Sequence, residues 1–89
     1  MTDQTSNPPV DRIKVGNITA SIWRNESDNG RWYSIVIERT FKDEATGDYK
    51  VSKSYRHGDL PFLGKAAAYA FDRVRELKAA DRAETRNAV

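Results

Sequence analysis

The chain has 89 residues, room for one domain and not two, and it has no cysteine, which excludes disulfides, thiolate nucleophiles and cysteine-ligated metals. Charged residues make up 31% and hydrophobic residues 38%, but two Trp, four Tyr and three Phe supply enough apolar bulk for one thin core, which argues against wholesale disorder. A formal net charge of +2 permits an acidic partner without singling one out.

No apolar run is long enough to span a bilayer, and the polar start carries no basic-then-apolar signal pattern. With the lack of cysteine, the expectation is a cytoplasmic protein that does not engage a membrane. Residues 1–9 hold no large apolar side chain after Met1 and end in Pro8-Pro9, the pattern of a disordered leader. The single domain is expected over residues 10–80.

Strand signals come first. Ile13 and Val15 alternate with Arg12 and Lys14, and Ile18, Ala20 and Ile22 alternate with Thr19, Ser21 and Trp23. The apolar phase shifts across Gly16-Asn17. That pair fits a two-residue hairpin with Gly first, or a bulge in one long strand, with the balance slightly towards a bulge or kink. Residues 25–30 read as a turn, and the strongest strand pattern runs from Trp32 to Phe41. There Tyr33, Ile35, Ile37 and Phe41 fall on one face, and Trp32, Ser34, Val36, Glu38 and Thr40 on the other. After an acidic turn at residues 42–48, a last strand is expected from Tyr49 to Arg56. It would put Tyr49, Val51, Lys53 and Tyr55 on one face.

At Gly58-Asp59-Leu60-Pro61 the period changes. Asp59 suits a helix N-cap and Pro61 a first turn. Leu63, Ala67, Ala70, Val74 and Leu77 then recur on one helical face, widened by Leu60, Ala66 and Phe71. Phe62, Tyr69 and Ala80 form a second strip beside it, suited to the edge of the sheet or to a dimer contact. The helix is expected from about Leu60 to Ala80, with residues 81–89 frayed. The fold class is therefore α+β: a three- or four-stranded antiparallel sheet followed by one long C-terminal helix.

Catalytic and metal chemistry find little to work with. His57 is the one histidine and has no nucleophile near it in sequence. Gly58 to Ala66 fails as a phosphate loop, because the glycines are spaced one residue too far, Ala66 stands where a hydroxyl is needed, and Pro61 removes a donor. Asp43, Glu44 and Asp48 share a turn but lack the calcium-loop pattern. No enzyme, cofactor or metal is expected.

The remaining signal is basic residues interleaved with aromatics. From Tyr49 to His57 there are three cations, Lys50, Lys53 and Arg56, and no acid. Arg39 and Lys42 end the preceding strand, and Trp23 and Trp32 flank the first turn. Cations that track phosphates and rings that stack on any base hold single-stranded nucleic acid. A solvated polar face, or a protein-binding face built on the indoles, fits the same residues.

The runs Ile35 to Asp43, Thr46 to Lys50 and Ser54 to Leu63 resemble the single-stranded-DNA-binding domain of the positive-cofactor-four family, related in fold to Whirly proteins. That resemblance implies a homodimer binding single-stranded DNA across its sheets. Arg39, Lys42, Lys50, Lys53 and Arg56 would contact phosphates, and Trp23 or Trp32 would stack on bases. The stretch from Lys14 to Trp23 also resembles small uncharacterised proteins of bacterial and mobile-element genomes. The function expected is a non-enzymatic nucleic-acid-binding accessory protein, and the alternative is a module that binds a host protein.

Overall fold

The computed structural model describes residues 8–87, and their side chains as far as residue 84. Four strands, β1 (Asp11–Val15), β2 (Ile18–Ser27), β3 (Gly30–Lys42) and β4 (Tyr49–Ser52), form one antiparallel sheet in the order β1-β2-β3-β4. One helix, α1 (Leu60–Asn87), follows a single 3-10 turn at His57–Asp59. The chain is thus α+β in the order its hydrophobic periods indicate. The first seven residues of the expected leader lie outside the described residues.

Gly16-Asn17 is a hairpin turn and not a bulge. Val15 pairs with Ile18 across it, and Gly16 has φ +60, as the first position of a type II′ turn requires. The apolar phase shift in the sequence is the reversal of chain direction. A Cβ added at Gly16 would lie 3.4 Å from the Phe62 ring, so the turn needs glycine for its backbone and also brings it against the helix. This fixes one member of the Phe62–Tyr69 strip, both half-exposed, beside the β1–β2 turn.

Strand alternation divides the sheet into an inner face under α1 and an outer face over which no described helix or strand packs. On the inner face Ile18, Ala20 and Ile22 of β2 are buried against Ala66 and Ala70 of α1. Ile13, Val15, Tyr33, Ile37, Leu63, Val74 and Leu77 close around them. The small residues let the helix sit low on β2. The contact therefore centres on Ala66 and Ala70, while Ala67, expected in the stripe, is exposed. Phe71 and Leu60, expected to widen the stripe, are 65% and 51% exposed, because they rise on the flank turned away from β1. Helix α1 does not end near Ala80 but continues to Asn87, and Asp81 is part of its contact with the sheet.

The last strand is shorter than its alternating pattern. It stops at Ser52, whose hydroxyl accepts the Ser54 N–H at 3.0 Å and turns the chain. Tyr55 then folds onto the inner face and donates its hydroxyl proton to the Ile37 carbonyl. Tyr49 and Val51 remain on the outer face, so Tyr55 does not share a face with them.

Replacing Ile22, fully buried beneath the helix, by Ala should lower the unfolding free energy by about 2–5 kcal/mol. Ile35→Ala, on the same face but 39% exposed, should cost well under half of that. Urea unfolding with linear extrapolation compares the two.

Candidate nucleic-acid interface

The outer face is built by the strand positions that α1 leaves uncovered. Register places Trp23 opposite Ser34 and Asn25 opposite Trp32. The two indoles are therefore diagonal neighbours on one face, about 7–8 Å apart at Cα. Trp32 is 47% exposed and Trp23 half-buried. Between them Asn25 Nδ2 donates to Ser34 Oγ at 3.0 Å, and both Asn25 and Ser21 are buried low on this face. The floor of the face is thus polar and hydrogen-bonded, with rings standing on it.

Arg12 pairs with Ser21, and Lys14 with Thr19, so both β1 cations point to this same outer face. Both are exposed, and among the described residues neither side chain has an acidic partner. Alternation alone places them opposite Ile13 and Val15, but their side of the sheet matters only once β1 is known to pair with β2. Sequence reasoning therefore missed them. At the far end of β3, Lys42 pairs with Tyr49, and Thr40 with Val51, again on the outer face. Tyr49 is 74% and Val51 60% exposed. Lys42 lies ten residues from Trp32, about 33 Å along the strand. Glu38 is the one acid that the four strands turn to this face.

The other expected cations are placed differently. Arg39 lies on the inner face, where its Nε donates to the Ser54 carbonyl at 3.0 Å and lies 3.4 Å from an Asp59 carboxylate oxygen. Its guanidinium also covers the Phe41 ring at 5.2 Å. With 13% of its side chain exposed, it fastens the segment after β4 to the sheet. Lys50 is also on the inner face, bonded to Asp43 at 2.7 Å. Lys53 and Arg56 lie beyond β4 in the irregular segment and are exposed. The five cations thus do not form one surface with the two indoles: of them, the ladder puts Lys42 on the outer face and Arg39 and Lys50 behind it.

Carboxylates hold the inner side together. Asp81 accepts the Tyr33 hydroxyl and the guanidiniums of Arg24 at 3.2 Å and Arg31 at 3.0 Å. The Tyr33 bond, then the two guanidiniums, hold its pKa below the ordinary carboxylate value. Asp11 is lowered by its 2.7 Å bond from Arg73 of α1, and Asp43 by Lys50 and the Ala45 N–H. Burial, with the bond to Asp81, raises Tyr33. Among the described residues no three His, Cys, Asp or Glu side chains gather as a metal site would require, and no helix is long and apolar enough to cross a membrane.

No family model matches the chain, and neither a curated protein nor a solved structure matches it.

The lowered carboxylates set the acid limb of stability. A depressed folded pKa contributes stability that is fully present above the unfolded value of about 3.9 and disappears as pH falls through the folded value. The urea midpoint should stay flat from pH 7 to about 5 and fall steeply below about 4. Asp81→Asn should lower the midpoint at pH 7 and flatten part of that acid limb.

Proposed function

We propose that the protein binds single-stranded nucleic acid on its outer sheet face, as a non-enzymatic accessory factor. The observation that carries this reading is the shared placement of Trp23 and Trp32 on the sheet face away from α1, beside two β1 cations that have no acidic partner among the described residues. Indoles on a hydrogen-bonded polar floor offer stacking surfaces that every base can use, and Arg12 and Lys14 lie where a backbone passing over the rings would place phosphates. Lys42 and Tyr49 extend the same face towards the other end of β3. The polar floor favours this reading over a dry protein-binding patch. The strongly exposed Tyr49 and Val51, at the β4 end, favour the second reading, a protein partner or a second copy seated there.

Titration with oligo-dT, followed by Trp fluorescence, tests the proposal. At low salt the expected result is saturable quenching that weakens steeply at a few hundred millimolar salt. Trp32→Ala should cost about 1–3 kcal/mol of binding. Arg12→Ala with Lys14→Ala should weaken binding and lower the salt slope by about two, one unit for each cation removed. Lys50→Ala, on the inner face, should leave affinity near wild type. Unchanged fluorescence at low salt from the folded protein refutes the proposal and moves the face to a protein partner.

A further inference from the structure

On the inner side, where the β2–β3 hairpin projects beyond the buried core, the end of the sheet and the second half of α1 enclose an open cleft of about 840 Å³. Its walls include Arg31 and Glu26 from the hairpin and Lys78, Asp81 and Arg82 from the helix, with Tyr33 also lining it. Gly30 lines it too, and with no Cβ it leaves that side open.

The charges in this cleft are not equivalent. Glu26 accepts Nε and Nη2 of Arg31 at 2.7 and 2.6 Å, while Nη1 of Arg31 reaches Asp81 at 3.0 Å. All three guanidinium nitrogens of Arg31 are therefore engaged. Arg24, behind the cleft, donates Nε to the Tyr33 hydroxyl at 3.2 Å and Nη2 to Asp81 at 3.2 Å. Both carboxylates are thus occupied in fixing two guanidiniums. Lys78 and Arg82, one helical turn apart, line this cleft at its outer rim, where they also border a second opening along α1 beside Asp72 and Glu76, and neither forms an ion pair among the described residues. With Arg24 and Arg31 matched by Glu26 and Asp81, the cluster keeps a surplus of two positive charges, on Lys78 and Arg82, which no described residue neutralises by an ion pair.

We propose that this cleft binds a phosphate-bearing anion, held by Lys78 and Arg82 against the fixed guanidinium of Arg31. Lysine supplies a compact charge and arginine a planar fork, the pair of donors that phosphate oxygens take. Because Glu26 and Asp81 already hold Arg31 in place, ligand binding need not order it. The volume exceeds that of one phosphate group and lies within the range of small-molecule sites. The phosphate can come from a free phosphorylated small molecule or from the end of a nucleic-acid strand. The site does not depend on the outer face, since Trp23 and Trp32 lie on the opposite side of the sheet.

Calorimetric titration of the full chain with inorganic pyrophosphate is the test. Saturable binding at one site per chain is expected, weakened tenfold or more in the Lys78→Ala/Arg82→Ala variant. Both side chains are exposed, so this variant should keep the circular dichroism of the wild type. Trp32→Ala should bind pyrophosphate as the wild type does, which separates failure of this site from failure of the outer face. A 5′-phosphorylated oligo-dT that binds more tightly than its 5′-hydroxyl counterpart, with the difference lost in the double variant, identifies a strand end as the source. Pyrophosphate binding without that difference identifies a free small molecule. Absence of pyrophosphate binding, or binding unchanged in the double variant, overturns the proposal.

Discussion

The close approach of α1 to β2 is the contact on which the rest of the structure depends. Ala66 and Ala70 have no side chain beyond Cβ, so the helix axis comes down onto Ile18, Ala20 and Ile22 and dries them completely. Larger side chains would hold the helix away from the sheet and leave gaps that cost dispersion energy. The core made this way is narrow, centred on one strand and one helical stripe. It leaves large apolar side chains, Phe71 and Trp32 among them, at the surface.

A narrow core does not by itself fix the direction of a 28-residue helix. Polar and aromatic contacts along its length do so. Near the start Phe62 lies on the β1–β2 turn, where Gly16 makes room for it. In the middle Arg73 reaches across to Asp11 at 2.7 Å. Towards the end Asp81 receives Tyr33, Arg24 and Arg31 from the β2–β3 hairpin. Partly exposed ion pairs contribute little each. Spaced along one helix, they nevertheless select one crossing direction among those that the alanine stripe would allow.

That direction produces two surfaces of different chemistry. The helix covers only one side of a four-stranded meander, and strand alternation delivers the polar and aromatic half of each strand to the other side. Carrying the helix past the core, out to the hairpin, opens a charged cleft where Lys78 and Arg82 meet Arg31. The β2–β3 hairpin connects the two, with indoles on one side and fixed guanidiniums on the other.

By itself the sequence determined the order of elements, the α+β class and the faces of β2 and β3, because period-2 and period-3.6 alternation of apolar residues are local properties. It put Trp23 on the opposite face from Ile22 and Trp32 on the opposite face from Tyr33 within their own strands, but that the two indoles share one face follows only from the β2–β3 register. Tertiary structure decided the remainder. Whether Gly16-Asn17 bulges or turns depends on which strand Ile18 pairs with, and both conformations use the same residues. The end of β4 depends on Ser52 and Arg39 capturing the chain at Ser54, and that brings Tyr55 inward against its strand pattern. The cations were the least legible. A charge in a sequence carries no record of its partner, so Arg39 and Lys50, bound to Asp59 and Asp43, looked the same as Arg12 and Lys14, which have no acidic partner among the described residues.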